Sequence, residues 1–174
     1  RAKASRHAAK NPLALFKKEV TEEEVLESPI MWPGVMTRLM ACPPTCGGAA
    51  AILVSEKFAS KHNINSSVRI LGQSMTTDYE STFSDKDMMQ LVGYDMSKEA
   101  AKNVYKQTGV DVQDLDVVEL HDCFAHNELI TYEALGLCSE GEAQKFVHDG
   151  DNTFGGKFVT CLLYTSDAAD DLRG

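Results

Sequence analysis

The chain has 174 residues, 17 Lys and Arg against 26 Asp and Glu, and a formal net charge of −9. Its 43 % hydrophobic content supplies enough apolar side chain for a packed core and excludes wholesale disorder. The acidic balance excludes a nucleic-acid partner, since phosphate binding needs a basic stripe. The longest apolar run, residues 47–54, falls far short of the ~20 residues of a membrane span.

In chain order, a basic stretch (Arg1, Lys3, Arg6, Lys10) opens the sequence, and with Arg at position 1 and no apolar h-region the expectation is a piece of a longer protein without a signal peptide. Thr21-Glu22-Glu23-Glu24 fits a capping box and predicts a short helix stopped by Pro29. Pro33-Gly34 predicts an irregular crossing. Residues 48–54, Gly-Ala-Ala-Ala-Ile-Leu-Val, read as a buried strand, and Ser55 as the cap of a helix running to His62 with Phe58 and Ala59 inward. Residues 68–74 read as a second strand and 75–83 as a loop able to line a site. Ser84 is expected to start a short helix with Asp87 in its capping box, and Ser97 a longer one, striped by Ala100, Ala101, Val104 and Tyr105 and closed by Gly109. Residues 116–120 read as a strand and 125–135 as a helix ended by Gly136; residues 138–156 read as mostly loop. Alternating strands and helices predict an α/β fold with helices packed on a sheet.

In such sheets functional groups collect where strands turn into helices. His121-Asp122-Cys123-Phe124 occupies that place. An imidazole and a helix N-terminus each favour a thiolate, which is then available as nucleophile or base. Asp122 can orient an imidazole or cap the helix. Spacing alone leaves a second reading open, and favours it: Cys123 as a small buried residue and His121 as a satisfied polar one. The five cysteines (Cys42, Cys46, Cys123, Cys138, Cys161) are odd in number and irregularly spaced. They predict free thiols in a reducing compartment, and no metal site is expected. The prolines of Cys42-Pro-Pro-Thr-Cys46 suggest a rigid turn, and His126 is five residues from His121, the wrong spacing for two ligands on one helical face.

Residues 116–137, with His-Asp-Cys-Phe followed by Ala-His-Asn-Glu-Leu, resemble the signature region of the sterol-carrier-protein-type (peroxisomal) 3-ketoacyl-CoA thiolases. Further matches run in the same order: Pro44-Thr45 with Gly48-Ala49-Ala50-Ala51-Ile52-Leu53, then residues 92–101, then Gly150-Asp151-Asn152-Thr153-Phe154-Gly155-Gly156-Lys157. The resemblance spans about residues 10–159. It implies a thiolase-like layered α/β fold, present in part as the end of the N-terminal half and the start of the C-terminal half. Residues 1–47 are then a loop-domain remnant and connection, 48–159 an incomplete thiolase-like region, and 160–174 a non-native tail.

The implied parent is an acyltransferase that cleaves 3-ketoacyl-CoA with coenzyme A as substrate and no further cofactor, in peroxisomal lipid metabolism and β-oxidation. In that chemistry Cys123 is the acid/base thiol and His121 an oxyanion-hole donor, with Asp122, Phe124, Asn127 and Glu128 supporting. The implied partners are acyl-CoA, coenzyme A and a second copy in a homodimer; the implied location is the peroxisome, with the cytoplasm as the alternative. The family's nucleophilic cysteine is expected before residue 1 and its Gly-His-Pro loop after residue 159, so this stretch alone is expected to be inactive. Cys46-Gly47 departs from the family's Ser-Asp, and the sequence after Val159 departs altogether, without a Ser-Lys-Leu-type end. The alternative function is a non-catalytic thiolase-like module that binds acyl-CoA or lipid.

Overall fold

The computed structural model describes all residues except Thr45, Gly47, Ser66, Ser67, Asp122 and 163–174, with backbone alone for Cys161 and Leu162. The described helices are α1 (Ala2–Lys10), α2 (Glu22–Glu27), α3 (Glu56–Lys61), α4 (Glu80–Ser84), α5 (Met88–Leu91), α6 (Tyr94–Thr108), α7 (Ala125–Ala134) and α8 (Ala143–His148). Strands β1 (Ile30–Trp32) and β2 (Met36–Thr37) form an antiparallel hairpin; β3 (Val117–Leu120) and β4 (Val159–Leu162) form a parallel pair. A parallel pair needs a long crossover, and α7 and α8 lie in it.

Local chemistry sets several of these elements as expected. Thr21 accepts from the Glu24 amide at 3.1 Å while the Glu24 carboxylate accepts from the Thr21 amide at 2.9 Å, closing the capping box of α2. Ser55 accepts from Phe58 N–H at the start of α3. Gly109, at φ +71°, ends α6 in the left-handed conformation that a side chain would strain. Along β3, Val118 and Leu120 face inward and Glu119 outward, the period of two that buries one face of a strand. They meet Ala4 of α1, Tyr132 of α7, Leu137, Phe146 of α8 and Phe158 in one core. Tyr132 and Phe146 pack edge to face at 5.1 Å.

Other expectations are corrected. Residues 48–54 and 68–74 form no strand; Ile52 is 92 % and Val68 75 % exposed. An apolar run marks a segment able to pair, but a strand exists only with a partner, and neither segment has one among the described residues. Phe58 stays half exposed, and Ala59 alone supplies the buried contact of α3. Ser84 ends α4 rather than starting a helix, and Asp87 is itself the cap of α5, accepting from Met89 N–H at 2.8 Å. α6 begins three residues before Ser97, after Gly93 at φ +89°. The stretch 138–156 contains α8, and Pro33-Gly34 is the turn of the β1–β2 hairpin. Strand β4 continues past Val159 to Leu162 with Thr160 fully buried; the rest of the expected tail, 163–174, lies outside the described residues.

Helix α1, which opens without a side-chain cap, completes the core. α1 packs against β4 and carries Lys3 and His7 into the interior. The Lys3 ammonium donates to Thr160 Oγ1 at 2.8 Å, to Thr160 O and Tyr132 Oη at 3.2 Å each, and pairs with the Glu128 carboxylate. Asn152 Nδ2 donates to Tyr132 Oη at 3.0 Å, and Thr160 Oγ1 donates to Asn152 O at 2.8 Å. A charge taken out of water is tolerated only with partners of this kind. Burial, and then the Glu128 charge, raises the Tyr132 hydroxyl well above the ordinary phenol range.

Candidate functional site

Leu120 ends β3, and α7 begins at Ala125 with Phe124 as the cap residue, extended at φ −138° and ψ 146°. The junction is held from both sides. Asn127 Nδ2 reaches back to donate to the His121 carbonyl at 2.9 Å, while Asn127 N–H donates to Phe124 O at 2.9 Å. Across from it, Ala41 and Phe124 form an antiparallel bridge, and Cys42 N–H donates to Cys123 O at 2.9 Å. The segment leaving the hairpin is thereby laced to the N-terminus of α7.

Between hairpin and helix lies a cleft of about 520 Å³ lined by Trp32, Val35, Met36, Val92, Cys123, Phe124, His126, Asn127 and Ile130. Its wall is mostly hydrocarbon, aromatic ring and thiol, with an imidazole and a carboxamide as the polar side chains and no Lys or Arg. Helical periodicity explains which residues of α7 reach it. His126, Asn127 and Ile130 are neighbours on one face at i, i+3 and i+4 spacing; Glu128 and Tyr132 are an i, i+4 pair on the other. One face lines the cleft and the other joins the buried Lys3 network.

The expected site residues therefore divide. Cys123, Phe124 and Asn127 come together at the cleft. His121 is exposed, does not line it, and contributes its backbone carbonyl to Asn127. Glu128 is buried on the opposite face of α7. Asp122 lies outside the described residues. His126, whose spacing from His121 does not suit a ligand pair, lines the cleft. Trp32, Val35 and Met36, also in the wall, lie outside the sequence expectations. Their one available signal was Pro33-Gly34 between two short apolar runs, a hairpin pattern that places the side chains on either side of the turn together.

Residues 77–161 match the family model described as "Thiolase C-terminal domain-like". A solved structure titled "Ltp2-ChsH2(DUF35) aldolase" superimposes with a TM-score of 0.74 at 26 % identity, covering 91 % of this chain and 42 % of that one. The fold is thiolase-like. Within it the chain is 51 % identical over 158 residues to Sterol carrier protein 2 of Bos taurus, covering 90 % of this chain and 29 % of that protein. It is 37 % identical over 158 residues to the Benzoylsuccinyl-CoA thiolase subunit BbsB of Thauera aromatica, covering 90 % of this chain and 40 % of that protein. The thiolase-like chain thus spans about three-tenths of the length of the sterol carrier protein it matches. No helix of the described residues is long and apolar enough to cross a membrane.

Proposed function

We propose that this chain is a binding module of a thiolase-like protein, and that the cleft between the β1–β2 hairpin and α7 takes the acyl chain of an acyl-CoA or a comparable lipid. The observation that supports the reading is the composition of the cleft wall, hydrocarbon and ring with no cation. Such a wall gains free energy by burying an alkyl chain and offers no Lys or Arg to the phosphates of coenzyme A. The similarity to a sterol carrier protein and to a CoA thiolase points the same way. Trp32, the single tryptophan of the chain and a lining residue, is a built-in reporter. Titration with long-chain acyl-CoA is expected to shift its emission to shorter wavelength, whereas coenzyme A alone leaves it unchanged. Val35→Asp, at an exposed hairpin position, is expected to abolish the shift. An equal response to coenzyme A alone sinks the reading.

A second reading is favoured by the position of the Cys123 thiol in the cleft wall. In the longer protein, Cys123 would move a proton at the α-carbon of a 3-ketoacyl-CoA during thiolytic cleavage. His121 would serve the enolate oxygen, and Phe124, Asn127 and Glu128 would hold the turn and its helix in place. Coenzyme A is then a substrate and no further cofactor takes part. Lipid metabolism in the peroxisome or cytoplasm, and assembly as a homodimer, belong to this reading. Cys123→Ser in the longer protein is expected to lower kcat by about 10²–10⁴ with acyl binding retained. Unchanged turnover in that variant leaves the module reading alone.

A further inference from the structure

The bridge that laces the hairpin arm to α7 sets two cysteines, 81 positions apart in sequence, on facing backbones. Ala41 faces Phe124 across it, so Cys42 faces Cys123, and the hydrogen bond from Cys42 N–H to Cys123 O at 2.9 Å lies within that pair. Residues opposed in an antiparallel pairing have Cα atoms about 4.5–5.5 Å apart and side chains on the same side. A disulfide needs Cα atoms about 4.4–6.8 Å apart. Both backbones are extended at the bridge itself, Ala41 at φ −94° and ψ 145° and Phe124 at φ −138° and ψ 146°, and the Cys42–Cys123 hydrogen bond carries the pairing one residue beyond it. Both thiols are free; Cys42 is exposed and Cys123 partly so, which gives an oxidant access.

We propose that Cys42 and Cys123 are a redox-convertible pair whose oxidation takes the Cys123 thiol out of the cleft wall. With a low-molecular-weight disulfide as oxidant, the Cys42 thiolate attacks one of its sulfurs, forms a mixed disulfide and expels one small thiolate. The Cys123 thiolate then attacks the Cys42 sulfur, closing the intrachain S–S bond and expelling the second. Two protein thiols give up two electrons and two protons, and the small disulfide leaves as two thiols. The switch goes beyond the acyl-binding reading and holds whether or not the cleft binds acyl chains. Its effect there is to convert an accessible thiol into a cross-link between hairpin arm and helix.

The test uses the whole chain in oxidised and reduced glutathione, folded and in urea, with free thiols trapped by alkylation and the pairing read by peptide mapping. In the folded chain the Cys42–Cys123 peptide is expected to be the dominant cross-link, with alkylation of Cys123 lost and restored by dithiothreitol. Urea is expected to abolish that preference. Cys46→Ser and Cys138→Ser are expected to keep the cross-link, and Cys42→Ser to leave Cys123 with mixed disulfide only. A dominant Cys42–Cys46 or Cys46–Cys123 link, the same pattern in urea as in buffer, or glutathione adducts without any intrachain bond overturns the proposal.

Discussion

His7 shows how burial rewrites the chemistry of one side chain. It is 1 % exposed, its Nε2 lies 2.9 Å from Thr153 Oγ1, and its ring packs on Phe154 at 4.1 Å. Burial, and then the Lys3 cation, lowers its pKa from 6.5 to about 4. Between those values the unfolded chain takes up a proton that the folded chain refuses, so stability is complete above about pH 6.5 and declines as the pH falls toward 4. The loss is expected to be on the order of 2–3 kcal/mol, read from urea unfolding at a series of pH values. In His7→Gln that part of the slope is expected to vanish. Lys3 gives a second test at the same scale. It is 8 % exposed, and Lys3→Met leaves the Glu128 carboxylate buried without its cation, an expected cost of about 3–5 kcal/mol. Adding Glu128→Gln removes the orphan charge and is expected to recover much of the loss. If Lys3→Met costs less than about 1 kcal/mol, comparable to a surface pair, the pair is not what holds α1 in the core.

Among the elements, the segment after α8 explains why its glycines stand where they do. A Cβ built on Gly156 would lie 2.2 Å from the Gly150 carbonyl oxygen and 2.8 Å from Asp151 Cα, both backbone atoms that cannot move aside alone. The same turn carries Gly156 N–H to Thr153 O and Phe158 N–H to Asp151 O, each at 2.9 Å, and so aims Phe158 into the core. Gly156→Ala is expected to cost about 2–3 kcal/mol, measured by thermal unfolding. Gly34→Ala, strained only by its φ of +71° with open space around it, is expected to cost about 1 kcal/mol. Equal losses would mean that close approach is not the constraint at Gly156.

At the scale of the whole molecule, two bodies of surface behave differently. The core around β3, α7 and β4 buries its apolar residues, while residues 48–54 and 68–75 leave Ile52, Leu53, Val68, Ile70 and Met75 largely in water. Ile52, Leu53, Val68 and Ile70 line one open cleft, and exposed apolar surface of this kind binds hydrophobic probes and drives association. The purified chain is expected to enhance the fluorescence of an anilinonaphthalene dye and to elute earlier from a sizing column as its concentration rises. Val68→Asp with Ile70→Asp is expected to weaken both effects without changing the far-ultraviolet circular dichroism. Dye binding untouched by that pair would place the apolar surface elsewhere.

What could be read before folding depends on how far apart the causes lie. The capping box at Thr21 and Glu24, the cap at Ser55, the left-handed Gly109 and helix α7 all rest on residues within a few positions of one another, so composition and spacing determine them. The thiolase-like fold was legible for a related reason, since its motifs are short runs in a fixed order. Whether an apolar run becomes a strand depends on a partner edge, and 48–54 has none among the described residues. Which residues of α7 meet the cleft depends on what packs against each face. Only the tertiary structure sets Lys3 against Glu128 across 125 positions, puts Trp32 and Cys123 in the wall of one cleft, and ties the His121 carbonyl to Asn127.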